Sequence, residues 1–313
     1  MILVAPLLAW LMALAPGGGS LHLQYGWQPN SAYEQTMTMS SSVRLDLLGT
    51  TEGKAAPETL GRDLTYDVAL TLVFDTGQRE DDGGLPFECR LSQARGSTTK
   101  DGKAIESTGL KKLEGQKVAR GRLLPSGRAI EMEMVAMEGG AALPPDFKDR
   151  LLQSLPALPE GALNVGESFD VPMGLTLSGL PLIGKITITS KATYTLKDLS
   201  RSEARFDVKQ SLSSTGSEQP QGAGGPAAGF TGGASGVATF DMSEGFFSAM
   251  HMEMSAEMSQ HITTMSATAP GSGSDATAGG SSQAQPRASV VQVKAKVQGP
   301  IDFTMSRAKR ISN

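Results

Sequence analysis

Cysteine occurs once in this chain of 313 residues, at Cys89, and histidine three times, at His22, His251 and His261. A single thiol excludes an intramolecular disulfide framework and every multi-cysteine metal centre. Three scattered imidazoles leave few general bases of the usual kind, and no Gly-x-Ser-x-Gly nucleophile elbow is present. Aromatic residues make up 5%, with 2 Trp and 4 Tyr, too few for the interfacial girdles of a membrane barrel. Neither charge sign dominates: 28 Lys plus Arg against 32 Asp plus Glu give a net −4 with no block of like sign. A nucleic-acid footprint is therefore not supported.

One long apolar run does occur, at the start. Residues 2–15 read Ile-Leu-Val-Ala-Pro-Leu-Leu-Ala-Trp-Leu-Met-Ala-Leu-Ala, followed by Pro16-Gly17-Gly18-Gly19-Ser20. The run is short for a bilayer, is broken by Pro6, and ends in the small-x-small pattern Ala13-Leu14-Ala15 of a signal-peptidase site. Residues 1–15 are expected to be a cleaved export signal, although no Lys or Arg stands before the apolar run. No cysteine follows to carry a lipid anchor, and beyond residue 20 no stretch approaches the ~18 apolar residues of a membrane helix. The expectation is an exported chain in the periplasm, on the outer envelope surface or secreted.

The rest of the sequence alternates with period two, the signature of half-buried strands. Leu21, Leu23, Tyr25 and Trp27 alternate with His22, Gln24 and Gly26. Tyr33, Met37, Met39, Val43, Leu45 and Leu47 form the next apolar face, and Leu64, Tyr66, Val68, Leu70, Leu72 and Phe74 the one after. Phe87, Cys89 and Leu91 follow. Residues 118–124 and 130–136 flank Pro125-Ser126-Gly127-Arg128, the composition of a hairpin turn. A short helix is expected over 144–155, where Phe147, Leu151 and Leu155 recur every four residues between prolines.

Strand alternation returns at Phe169, Val171, Met173, Leu175 and Leu177. It continues through Ile186, Ile188, Ala192, Tyr194 and Leu196, and through Ala204, Phe206, Val208 and Leu212. Lysine-rich and acid-rich polar faces on these last two segments can pair across a ladder. Residues 213–236 and 267–286 are rich in Gly, Ala, Ser and Gln and poor in large apolar groups, so both are expected as mobile hairpin tips. A long strand at 246–265 lies between them, and the last strands carry Val291, Val293, Ala295, Val297, Ile301, Phe303 and Met305.

The fold class that follows is all-β with one short central helix. The strands form an antiparallel meander of long amphipathic segments, closed as a curved sheet or partly open barrel. The segmentation is an export signal (1–15), a first β half (16–143), the helix and linker (144–160) and a second β half (161–313).

Several motifs carry a resemblance. Leu155-Pro156-Ala157-Leu158-Pro159, a spacer and Val165-Gly166-Glu167-Ser168-Phe169 resemble a mid-chain feature of a family of exported bacterial β-rich proteins of unknown function. The strand around Thr36–Ser40, the segment Arg128-Ala129-Ile130-Glu131-Met132 and the turn Met242-Ser243-Glu244-Gly245-Phe246 are similar to other features of that family. The resemblance implies export and a β fold. It transfers no functional residue.

The run Met250-His251-Met252-Glu253-Met254-Ser255-Ala256-Glu257-Met258-Ser259-Gln260-His261 is the most suggestive for chemistry, because thioethers and imidazoles bind copper(I). As a strand it separates the two histidines by about 33 Å, too far to share a metal. As a helix it would gather His251, Met254, Met258 and His261 on one face. The alternation favours the strand, with methionine as adaptable core filler. Gly179–Ile186 nearly spells a phosphate loop but lacks the hydroxyl residue after Lys185 and leads into a strand. Glu80-Asp81-Asp82-Gly83 lacks the spaced ligands of a calcium loop and reads as a solvated turn. Cys89, alternating with Phe87 and Leu91, reads as buried.

No catalytic constellation and no cofactor site emerges. The leading expectation is a non-enzymatic envelope protein that binds a lipophilic molecule or apolar segment in the concave face of its sheet. The lining candidates are Met37, Met39, Met132, Met134, Met250, Met252, Met254 and Met258. Its partners are then a lipid, another hydrophobic ligand or an envelope protein. The alternatives are a structural or interaction module with a filled core and open sheet edges, and copper(I) binding through the 250–261 strand.

Overall fold

The computed structural model describes residues 20–50, 59–100, 102–124, 126–127, 129–135, 147–148, 151, 155–180, 184–218, 229–266 and 287–308. The expected export signal and the 267–286 tip lie outside these residues. Twelve strands form one sheet: β1 (Ala32–Thr50), β2 (Thr59–Thr76), β3 (Leu85–Lys100), β4 (Lys103–Glu106), β5 (Lys117–Leu123), β6 (Ala129–Met134), β7 (Ser168–Leu180), β8 (Gly184–Leu199), β9 (Glu203–Glu218), β10 (Gly229–Asp241), β11 (Phe246–Ser266) and β12 (Arg287–Ala308). A one-turn helix, α1 (Thr108–Lys111), separates β4 from β5. The 213–236 range contributes the end of β9 and the start of β10, and residues 219–228 lie outside the described set.

The strand order is β6-β5-β3-β2-β1-β12-β11-β10-β9-β8-β7, with β4 paired to β3 alone. Every pairing is antiparallel. The chain meanders outward from β1 to the β6 edge, restarts at the opposite edge with β7, and meanders back until β12 pairs with β1. The two sequence halves are therefore arms of a single sheet, and the sheet stays open between β6 and β7. Bulges at Thr71/Leu72, Cys89/Arg90 and Thr239/Phe240 bend the long strands. On β10, Cβ atoms at Gly232 and Gly236 would collide with the β11 backbone at Ala256 and His251. Glycine there lets the two strands approach closely, which is why a glycine-rich segment still forms a ladder.

Leu21, Leu23, Tyr25 and Trp27 are buried on alternation, as their spacing requires, but the segment is no ladder strand. It is an extended strap whose one β-bridge joins Leu21 to Leu163. The Tyr25 hydroxyl donates to the Pro156 carbonyl at 2.8 Å, and the Gly26 amide to the Gly245 carbonyl at 2.8 Å. The Gly127 backbone, at φ 80°, lies so close to the Tyr25 ring that a side chain could not fit between them. Phe147, Lys148 and Leu151 are helical. Phe147, Leu151 and Leu155, the expected buried trio, all join the core.

Strap and helix fill the inner face at one end of the sheet. Trp27 meets Tyr33 edge-on at 4.5 Å, Tyr33 meets Phe246 at 5.9 Å, Phe240 meets Phe247 at 5.2 Å and Phe169 stacks on Tyr194 at 5.0 Å. Aromatic rings bury large area per side chain and prefer such tilted contacts, so a chain poor in aromatics has concentrated them here. The expected cross-ladder charge pairing occurs on the outer face: Lys197 Nζ of β8 lies 2.9 Å from the Asp207 carboxylate of β9. Exposed as it is, the pair adds little stability. Trp27→Ala should cost about 3–5 kcal/mol, as large aromatic truncations in packed cores do. Urea denaturation of the variant and the parent checks the value.

Candidate functional site

Register defines rows of side chains that cross the inner face. One row reads Leu70, Met37, Phe303, Met250, Ala238 and Phe206 across β2, β1, β12, β11, β10 and β9. The next reads Val68, Met39, Ile301, Met252, Gly236 and Val208. Two steps nearer the hairpin tips lies Leu64, Val43, Val297, Ala256, Gly232 and Leu212, and after it Leu45, Ala295, Met258 and Phe230. The aromatic core ends near the first two rows. Beyond it Met39, Val43, Leu64, Val68, Val297, Met258, Phe230 and Leu212 are half-buried and belong to no core cluster.

The fold thus brings together six of the eight methionines expected to line a site. Met37 and Met39 on β1 flank β12 opposite Met250, Met252, Met254 and Met258 on β11. Met252 is buried; the other five are half-buried. Met132 and Met134 are not part of this group. They lie on the edge strand β6, four strand spacings or roughly 19 Å along the sheet from β1. Met132 is buried in the core, whereas Met134 is exposed. Their alternation was legible locally, but the strand order that separates them was not.

Phe303 and Ile301 stand between the two methionine strands; the sequence gives them as apolar strand positions but not as lining candidates. Their role depends on the β1–β12 pairing, which joins residues at opposite ends of the chain. Ser41 and Gln35 are polar yet 4% and 2% exposed on the same inner face. They interrupt the apolar series of β1, and that interruption was the available signal.

The 250–261 segment is strand, so its methionines and His251 occupy opposite faces. No thioether–imidazole site can form there from adjacent residues, and the His261 side chain lies outside the described set. His251 instead clasps β12: its Nδ1 is 2.6 Å from Asp302 Oδ1, and its Nε2 is 3.5 Å from Glu253 Oε1. The hydrogen bond to Asp302, followed by the charges of Asp302 and Glu253, raises the imidazole pKa above its ordinary value against some desolvation.

Elsewhere the polar groups are structural. Arg122 holds the Asp82 carboxyl below the usual range, chiefly through their hydrogen bond, and also pairs with Glu80 at 2.7 Å and Glu131 at 3.3 Å. The acidic 80–83 segment is accordingly a turn tied to β5, with the Glu80 amide donating to the Gly84 carbonyl. Cys89 is fully buried, and burial pushes its thiol far above the ordinary range. A groove of about 670 Å³ runs beside β1, β2 and β3, where apolar Met39, Val68, Ala94 and Pro300 alternate with charged Asp67, Arg95, Glu106, Lys111, Glu114 and Asp302. Both charge signs line it, so it does not single out one ion. Among the described residues no group of three or more His, Cys, Asp or Glu could hold a metal, and no helix is long and apolar enough to cross a membrane.

Because the His251 pKa is raised, its clasp stabilises the fold fully below the ordinary histidine value. That contribution is lost as pH rises through the raised value. An NMR titration should place His251 above free histidine, and Asp302→Asn should lower it. An unchanged titration in that variant would show that Asp302 does not set the value. Native Cys89 should resist iodoacetamide at pH 8 and react once urea unfolds the chain, as followed by mass spectrometry.

No family model matches the chain, and no curated protein matches it. Among solved structures the chain is similar to the secretin InvG (residues 176-end, open gate state) of the Salmonella SPI-1 type III secretion injectisome. Identity is 8% and the TM-score 0.22, over 99% of this chain and 67% of that one. It is also similar to the InvG secretin domain β-barrel from the same injectisome, at 9% identity and TM-score 0.17 over 99% and 70%. For the Klebsiella pneumoniae type II secretion system outer membrane complex the values are 7% and 0.17 over 89% and 40%. Neither the identities nor the TM-scores carry an inference about activity or location.

Proposed function

We propose that the chain is an exported, non-enzymatic envelope protein that holds a lipophilic molecule against the tip half of its inner face. The observation that carries this reading is the half-buried apolar surface continuing past the point where strap and helix stop. Met39 and Met258 lie on it, and Met37, Met250 and Met254 stand at its border with the packed core. Flexible thioethers adapt to greasy partners of loosely defined shape, and apolar surface left without a second layer gains about 25 cal/mol for each Å² a ligand covers. The export part of the reading rests on residues 1–15, as argued from their sequence. A fully packed structural module is less well supported, because the described residues fill only one end of the inner face.

The test is to purify the mature protein, extract it with organic solvent and analyse the extract by mass spectrometry, alongside Nile red uptake by the stripped protein. The expected result is a retained lipid in near-stoichiometric amount and saturable dye uptake. A Met39→Asp, Met254→Asp double variant should lose at least about tenfold in dye affinity, since an uncompensated carboxylate is costly in an apolar site. No extractable lipid together with no dye uptake by the parent protein overturns the reading.

A further inference from the structure

The strap does not fill its end of the sheet completely: a cavity of about 200 Å³ remains between it and the first arm. Tyr25, Trp27, Leu85 and Leu123, all buried, form its floor, and half-buried Leu124 adds to the wall. Gln24 and Arg79 are its exposed members and mark the mouth. No acidic residue lines it. The Tyr25 hydroxyl is already committed to the Pro156 carbonyl, so the floor offers mainly rings and aliphatic groups. An apolar cavity of about 150 Å³ is enough to bind benzene, and this one therefore has room for a hydrocarbon part of about six carbons.

Arg79 brings a fixed cation to that mouth. Its Nη2 donates to the Trp27 carbonyl at 2.9 Å and its Nη1 to the Gly83 carbonyl at 3.0 Å. These two bonds lock the planar fork and leave further N–H donors on it unused. Neither acceptor carries a charge. Of the three acids that follow Arg79, Glu80 and Asp82 are bonded to Arg122 and Asp81 is exposed, and no carboxylate among the described residues pairs with Arg79. A guanidinium held in this way matches a carboxylate, whose two oxygens its fork can meet together. We infer that the cavity binds a small monocarboxylate, with its hydrocarbon part of about six carbons against Trp27, Leu85 and Leu123 and its carboxylate on Arg79. The site is separate from the methionine rows, no member of which lines it, and it stands whether or not those rows take a lipid.

Trp10 falls within residues 1–15, so Trp27 is the one tryptophan from residue 16 onward and its emission reports on this cavity. Its ring is 5% exposed and its Nε1 has no hydrogen-bond partner among the described residues, so a ligand packed beside it changes its surroundings. The test is to titrate the mature protein at neutral pH with hexanoate and with 1-hexanol while following tryptophan emission. Hexanoate should give a saturable change and bind about tenfold more tightly than the alcohol, and Arg79→Met should remove that preference while leaving hexanol unchanged. Leu124→Phe narrows the cavity without touching the cation; it should weaken both ligands and leave Nile red uptake as it was. Circular dichroism and Tm would confirm that the variants are folded, and should Arg79→Met not be, the parent comparison and Leu124→Phe decide. No saturable change with hexanoate, hexanol binding as tightly as hexanoate, or a preference that survives Arg79→Met overturns the inference. A response that Leu124→Phe leaves intact places the ligand elsewhere and overturns it as well.

Discussion

The ladder between β1 and β12 is the contact on which the molecule depends. It is one of the longest pairings in the sheet, running from Ala32–Ala308 to Thr50–Val290, and it joins the first strand to the last. Without it there would be two meanders, each with an exposed central edge. With it, Met37 and Met39 come into the same rows as Met250 and Met252. The ladder is interrupted near Ser40, Ser41, Gly299 and Pro300. Proline supplies no amide hydrogen there, and a side chain at Gly299 would strike the Ser40 carbonyl. The same irregularity lies beside Ser41, so the place where the backbone gives up regular pairing is also where the inner face turns polar.

Closure at one end follows from the strap. An open sheet with one apolar face needs a second layer or must curl, and this chain does some of each. Residues 20–28, together with 147, 148, 151 and 155–163, supply a partial second layer from two stretches that the sheet order leaves free: one precedes β1, the other lies between β6 and β7 in the chain. Their contacts run strap to linker, strap to the 242–245 turn and strap to the β5–β6 turn. The family-like Val165-Gly166-Glu167 motif has a local role in the same region. Gly166 adopts φ 93° and donates to the Leu196 carbonyl, while the Glu167 carboxylate accepts from the Asn164 amide.

Strand identity and facing were legible because a period of two is a local property. Leu64, Tyr66, Val68, Leu70, Leu72 and Phe74 do share one face, as their spacing says. The strap was read correctly for burial and incorrectly for pairing, since alternation reports which side chains are buried and not what the backbone bonds to. The one-turn α1 left no periodic trace, although its Leu110 covers Gly96. The site was legible only in part. Met37 and Met250 are apolar by pattern, but their proximity depends on strand order, as does the separation of Met132 and Met134 from them. Ser41, Tyr66 and Thr98 fall in one row only once two registers, β1–β2 and β2–β3, are known.

An open sheet with two free edges invites association with other strands, and both edges here are blunted. β6 is six residues long and contains Glu131 at φ 53°, a conformation that breaks regular extension. Its Glu133 is exposed and paired to Arg120 at 2.7 Å, which keeps charge on that rim. β7 is longer, but Pro172 stands exposed within it and removes one amide donor from the row a new strand would need. Asp170 beside it pairs with Lys191 at 2.7 Å. Charge, proline and a break in extension thus disfavour strand addition at both rims of the described sheet.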